Sequence, residues 1–530
     1  MNSAVPVTDS VAIADGRIIA LGEDDVSSVR GEHTEVLDLG GATMLPGFVD
    51  AHIHPVMGGL RRVQCDLSEL HDLCAYRDRI SDYAATHPEA PWVLGGGWYG
   101  DVFDGGFPDR RELDSLVPDR PAALGSHDGH GVWVNSAALA AAGITDETPD
   151  PPGGHILRDA EGVATGMLVE SAADLVYDVI PPVEPGEVRA ALLDAQSYLH
   201  SLGVVAWQDA AVGEALGLPD CYDLYCELAE SGALTARVTG DLWWYPDRDL
   251  DQIESMTKRR DALSDNGLTF SATAVKIIQD GVCENFTAAL TRSYHQHPHE
   301  HGMSFIEPQQ LRRVVAALDT AGFDVHLHAV GDRAVRESLD AFSDTANADD
   351  RRHQIAHIDL ITPEDVARMR DTGVIANIQP LWAREDPVLV ETKLPFLDED
   401  HQNWHFAFGS LAEAGVPLAM GSDWPVSSPD PLWGVHTAVN RTAPAGDPHA
   451  QDEHSQTVPL LAEQGIDIDA ALHAYTIGAA RAARLDEFCG SIEVGKDASL
   501  VVLDADPMTA DPRHLSDIRV REVFVRGVRV

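Results

Sequence analysis

Lysine is almost absent from this chain: of 530 residues, only Lys258, Lys276, Lys393 and Lys496 carry an ε-amine. Against 37 lysines and arginines stand 86 aspartates and glutamates, a formal net charge of −49. Such an excess repels nucleic acid and anionic membrane surfaces, which bind proteins through basic side chains, so neither is expected as a partner. Acidic residues spread along the whole chain suit a high-salt cytoplasm, where salt screens the self-repulsion that otherwise opposes compaction. Cysteine is scarce too. Cys65, Cys74, Cys221, Cys226, Cys283 and Cys489 form no CxxC pair and no dense framework, which reads as reduced, mostly buried thiols. No run approaches the roughly 18 apolar residues of a spanning helix. The opening MNSAVPVTDSVAIADGR lacks the basic-then-apolar order of a secretory signal, so a cytoplasmic protein is expected.

What is present is globular in composition, 44% hydrophobic and 23% charged, and long enough for one large domain and a smaller one. Residues 10 to 48 read as short strands with tight turns, beginning with VAIADGRIIALG, whose Asp15-Gly16 is a type I′ hairpin signal. The C-terminal stretches SIEVGKDASLVVLDADP and VREVFVRGVRV repeat that texture. Two β segments at opposite ends can pair, so residues 1–48 and 483–530 are expected to build one composite β-sandwich. Between them, over 49–482, apolar strand-like runs alternate with helical stretches. The runs are MLPGFVDAHIH, GVVAWQDA, ARVTGDLWW, ATAVKIIQD, FDVHLHAVGD, HQIAHI, GVIANIQP and VPLAMGSD. Eight such units predict an α/β fold, a (β/α)₈ TIM barrel. Residues 60–175 are too long for a crossover and too rich in Gly, Pro and Trp for one helix. They are expected to form an inserted subdomain after the first barrel strand, covering the barrel mouth.

The residues that carry chemistry sit at the ends of these runs. His52 and His54 in PGFVDAHIHP are two apart on a strand, so both imidazoles share a face. Imidazole nitrogen is a favoured metal ligand, and barrels keep their active sites at the C-terminal ends of strands. Lys276 interrupts the apolar run ATAVKIIQDG, where burial disfavours its ammonium form. A neutral amine can add carbon dioxide and become a carbamate able to bridge two cations. His328 in VHLHAVGD and His357 in HQIAHID end two further runs, and His326 competes with His328 for the same role. His353 and His357 have the i, i+4 spacing of a zincin helix but lack its glutamate. Asp423 in MGSDWPV closes the last run, where a carboxylate can ligate metal and exchange a proton with water. Six such residues on five strands, in this order, point to a metal centre.

That order, HxH, Lys, His, His, Asp, resembles the amidohydrolase superfamily, and in particular its branch containing N-substituted formamide deformylases. Phrases along nearly the whole chain carry the resemblance: GGGWYGDVF, LDSLVPDRPAAL, DGHGVWVNSAAL, GGHILRDAEGVATGMLVESA, VKIIQDGVCENFTAAL, HAVGDRAV, GSDWPVSSPDPLWGV and GSIEVGKDASLVVLDADP. The resemblance implies two divalent cations, Zn²⁺ first and Mn²⁺, Fe²⁺ or Co²⁺ as alternatives. His52, His54 and Asp423 would hold one, His328 and His357 the other, with a carboxylated Lys276 between them. A metal-bound hydroxide would attack the substrate carbonyl, and Asp423 would pass the proton to the leaving nitrogen. Trp98 and His130, in the insertion, match positions near the family's substrate pocket, and Asp332 matches a residue that orients a ligand.

The chain departs from the family at the N-terminus, where a strand before VAIADGRIIALG is short or absent. The histidine patch HQHPHEH at 295–301 reads as a solvated loop, and Cys283 as packing. The expected function is hydrolysis of a linear amide-like C–N bond, an N-formyl or N-acyl amine, in a small-molecule substrate. A cyclic amide, carbamate or ester is the alternative within enzymes, and a non-catalytic binding protein on the same scaffold is the alternative outside them. The oligomeric state is left open, a homodimer included.

Overall fold

A computed structural model describes residues 7–263, 267–345 and 351–530. Eight parallel strands form one sheet in chain order: β1 (Phe48–Ile53), β2 (Val204–Val212), β3 (Arg237–Trp243), β4 (Phe270–Ile278), β5 (Asp324–Ala329), β6 (Gln354–His357), β7 (Ile375–Ile378) and β8 (Leu418–Met420). Each coincides with one of the eight apolar runs. Period-2 alternation explains the two faces. In β5, Val325 and Leu327 join the main core between sheet and helices, while His326 and His328 take the opposite face.

The sheet curls until its edges nearly meet. At the mouth, Asp423 N donates to His52 O (2.7 Å) and His54 N donates to Trp424 O (2.9 Å), which ties the end of β8 to β1. A glycine permits this approach. A Cβ on Gly421 would stand 2.5 Å from His52 N and 2.9 Å from the Asp50 carboxylate. The helices follow their sequence signals. Pro308–Thr320 starts with Glu307 accepting from Gln309 N and Gln310 N and with proline in its first turn.

The barrel interior is polar below the mouth. Gln208, Asp241, His326, Gln354 and Asn377 are fully buried there. They survive burial because they bond one another: Gln208 Nε2 to Asp241 (2.8 and 2.9 Å), Gln354 Nε2 to Gln208 Oε1 (3.1 Å), Asn377 Nδ2 to Gln354 Oε1 (2.8 Å).

Between β1 and β2 lies a six-stranded mixed sheet, in the order Cys65–Asp66, Val93–Trp98, Ala122–Ser126, Gly131–Val134, Ala164–Glu170 and Gly154–Arg158. It has its own apolar clusters, one around Tyr76, Trp98, Leu124 and Trp133. Near the termini, Thr43–Pro46 pairs antiparallel with Leu500–Leu503, which pairs with Val520–Val525. The hairpin Val11–Ala14/Arg17–Leu21 turns at Asp15 and Gly16, both at positive φ, and Ile18 packs against Ala498 and Leu500. One stretch differs from expectation: within 10–48 the chain forms a short helix, Glu23–Val29. Three acidic residues in its first turn, Glu23, Asp24 and Asp25, favour the positive end of a helix dipole, a signal that the strand reading overlooked. Among the described residues, no helix is long and apolar enough to cross a membrane.

Candidate metal centre

Alternation along β1 turns Asp50, His52 and His54 to one side, and His54 becomes the cap of the helix Pro55–Val63. Lys276 stands near the end of β4, 2% exposed. His328 is the penultimate residue of β5 and His357 the last of β6. Asp423 follows β8. His357, Ile358 and Asp423 have φ of 76°, 54° and 56°, a left-handed conformation that non-glycine residues hold only when their surroundings impose it. That turn aims both side chains back over the barrel.

All six side chains converge. Lys276 Nζ lies 3.1 Å from His52 Nε2. Asp423 Oδ1 lies 3.1 Å from His54 Nε2 and 3.5 Å from His52 Nε2, and its Oδ2 lies 3.9 Å from His357 Nδ1. The rings of His328 and His357 are 4.4 Å apart, and those of His52 and His357 4.9 Å. One ligating atom each from His52, His54 and Asp423 fall within 4.8 Å of one another.

Electrostatics suits cation binding. Burial first, then the nearby Lys276 amine, holds His52 well below the ordinary imidazole range. Burial does the same to His328, helped by His130, and to His357, helped by His328. These imidazoles are neutral and offer lone pairs, the form a ligand must take. Burial also lowers the Lys276 amine to about 8, against the pull of Asp423 and Asp241. Nδ1 of His54, Nδ1 of His357 and Oδ1 of Asp423 are buried without a hydrogen-bond partner. Unpartnered polar atoms are costly in an apolar interior, and His357 Nδ1 and Asp423 Oδ1, both on the cluster side, are atoms a divalent cation can engage. The residues therefore fit a metal.

His326 and His328 are now distinguished. His326 sits one layer deeper, its Nδ1 2.7 Å from Asp241 and its Nε2 3.0 Å from His52 Nδ1, so it supports the cluster from below. His353 lies just before β6 and not on a helix; it stacks on Phe342 and accepts from Val325 N, away from the centre. The patch at 295–301 is a run of turns outside the cluster. Cys283 is buried, which pushes its thiol well up.

His130 reaches the cluster from the insertion. Its ring is 5.3 Å from that of His328, and its Nδ1 is 2.8 Å from Glu170. Burial alone would lower it, but the Glu170 carboxylate raises it to about 9. Trp98 packs within the insertion. It donates Nε1–H to Leu124 O (2.8 Å) inside the insertion's core, and its neighbour Tyr99 lines the cavity instead. Gly96 and Gly97, at φ 158° and 94°, break the strand alternation just before it. The Asp332 carboxylate accepts from Thr291 N (2.9 Å) and faces His401 (3.4 Å). The chain turns into the helix Asp332–Phe342 at that point and carries the side chain away from His328. The carboxylate nearest His328 Nε2 is Asp280, at 3.8 Å, which also accepts from Ala289, Val330 and Gly331 N–H groups. Asp241 and Asp280 each interrupt or close an apolar run, a signal that could have found them.

The cluster forms the floor of a cavity of about 1560 Å³, walled by Tyr99, Trp243, Tyr245, Phe305 and Trp382. On one side Lys393 is held by Glu284 (2.9 Å) and Asp359 (3.3 Å), and Arg384 by Asp447 (2.6 Å) and Asp386 (3.0 Å).

Residues 35–530 match the model of the amidohydrolase family. The chain belongs to the amidohydrolase family. Among its relatives, Protein LONG AFTER FAR-RED 3 of Arabidopsis thaliana is 31% identical over 95% of this chain and 85% of that protein. An N-substituted formamide deformylase of Arthrobacter pascens is 28% identical over 98% of this chain and 94% of that enzyme, which places this amidohydrolase in the deformylase-containing branch. A solved structure, an uncharacterized metal-dependent hydrolase from Pyrococcus horikoshii OT3, superposes with a TM-score of 0.73 at 26% identity, covering 95% of both chains.

Proposed function

We propose that this amidohydrolase is a metal-dependent hydrolase of a linear amide-like C–N bond, an N-formyl or N-acyl amine. The observation that carries the reading is the convergence of His52, His54, Lys276, His328, His357 and Asp423 at the barrel mouth, with ligand-type atoms left without hydrogen bonds. The similarity to a formamide deformylase supports the choice of bond. In this reading His52, His54 and Asp423 hold one divalent cation and His328 and His357 a second, with Lys276, carboxylated, between them. Zn²⁺ is the first choice, and Mn²⁺, Fe²⁺ and Co²⁺ share the same ligand chemistry. Such cations supply Lewis acidity toward a carbonyl oxygen and make water acidic enough to act near neutral pH.

The protein's own groups do the rest. Asp423 accepts the proton of the attacking water and delivers it to the nitrogen as the C–N bond breaks and the C–O bond forms. His130, its Nδ1 engaged by Glu170, has Nε2–H left to donate to the carbonyl oxygen. Trp382, stacked on His357 at the cavity wall, offers its remaining face and edge to the apolar part of the substrate. The surface charge suits a high-salt cytoplasm.

The test is turnover of N-formyl and N-acyl amines, carbamates, lactams and esters in concentrated potassium chloride with added zinc, before and after chelation. The reading predicts chelator-sensitive release of free amine from the linear amides. Turnover of esters alone, or activity indifferent to chelation, overturns it.

A further inference from the structure

The floor beneath the cluster contains a chain of groups whose hydrogen-bond directions can be worked out from one end. It begins at a backbone carbonyl, Ala51 O, which can only accept, so the group 2.8 Å away on Asn377 is its NH₂. The second N–H of that amide reaches Gln354 Oε1 (2.8 Å), which leaves Gln354 Nε2 to donate to Gln208 Oε1 (3.1 Å). Gln208 Nε2 then donates to both oxygens of Asp241, at 2.8 and 2.9 Å. Each amide orientation is fixed by its predecessor, and the chain ends on a carboxylate, which again only accepts. The two ends agree.

Asp241 Oδ2 lies 2.7 Å from His326 Nδ1, so that nitrogen carries the proton. A neutral imidazole has one N–H and one lone pair. The lone pair of His326 is therefore on Nε2, which lies 3.0 Å from His52 Nδ1. His52 must donate there. Its own lone pair is then on Nε2, the atom 3.1 Å from Lys276 Nζ and 3.5 Å from Asp423 Oδ1. His326 and Asp241 are wholly buried, so water does not compete for these bonds.

We infer that Asp241, acting through His326, fixes the tautomer of His52, so that Nε2 of His52 is the nitrogen offered to the metal. Asp241 and His326 are positioning residues that touch neither substrate nor cation. The inference rests on the metal-centre reading above. A one-step contact between a carboxylate and a ligand imidazole would do the same work. Here a second histidine is interposed, because β3 and β5 present their side chains one layer below the mouth.

The test compares His326→Met with His326→Gln. Both fill similar space, but only the glutamine carbonyl can still accept from His52 Nδ1–H. Folding is checked by circular dichroism, Zn²⁺ affinity by competition with a chromophoric chelator, and ligand geometry by the visible spectrum of the Co²⁺-loaded protein. His326→Met is expected to lose about 10- to 100-fold in Zn²⁺ affinity and to shift the Co²⁺ bands, and His326→Gln to recover about tenfold of that loss. Asp241→Asn, which keeps the shape but can offer an N–H to His326, is expected to weaken Zn²⁺ in the same range and serves if the His326 variants do not fold. Equal affinities for the methionine and glutamine variants, or wild-type affinity in Asp241→Asn, overturn the inference while leaving the metal centre standing. A wild-type protein that takes up no divalent metal ends both.

Discussion

Replacement of Lys276 by methionine separates what the buried amine costs the fold from what it does for the site. Burial lowers the amine from 10.5 to about 8, with Asp423 and Asp241 pulling the other way. That drop corresponds to about 3 kcal/mol placed on the ammonium form. The folded value lies below the unfolded one, so the penalty is fully present below about pH 8 and fades as the pH rises to 10.5. Methionine fills nearly the same volume without a charge. The metal-free Lys276→Met protein should therefore be more stable than metal-free wild type by up to about 3 kcal/mol near neutral pH. The lost contact with His52 subtracts from this. Near pH 10 the difference should largely vanish. Urea unfolding of chelator-stripped proteins at the two pH values, at constant potassium chloride, measures it. The same variant should lose at least about 100-fold in metal affinity. A variant less stable than wild type near neutral pH, or one that binds metal undiminished, refutes the reasoning.

Asp423→Asn should lower kcat by about 10²- to 10⁴-fold, read by steady-state kinetics, since the amide cannot take the proton of water. Gly421→Ala should destabilise the protein by about 1–3 kcal/mol in urea unfolding, because its Cβ would meet His52 N at 2.5 Å, and should also weaken metal binding through His52. With a net charge of −49, the unfolding temperature should rise steeply between about 0.1 M and 2 M potassium chloride; a flat profile would remove the high-salt assignment.

All eight barrel strands were legible because each is a short apolar run with turn residues after it, and a barrel strand needs nothing more. The cluster was legible for a related reason. An ionisable residue at the end of an apolar run, such as Lys276 in ATAVKIIQDG, is conspicuous against its neighbours. The polar floor was not: Gln208, Gln354 and Asn377 are ordinary residues whose significance lies in bonding one another across three strands. Trp98 was placed near the pocket by resemblance alone; Gly96 and Gly97, at positive φ, interrupt the alternation just before it, and Tyr99 lines the cavity. For Asp332, nothing in HAVGDRAV says where the strand ends and the helix turns the side chain away. The type of each residue could be read, but its direction depended on backbone angles.

Anomalous diffraction from crystals soaked in Zn²⁺, recorded at the metal's absorption edge, tests the central claim most directly. The account predicts density enclosed by His52, His54, Lys276, His328, His357 and Asp423. Peaks confined to other metal-binding side chains, such as His127, Asp128 and Glu284 on the cavity wall, or no peak, would contradict it.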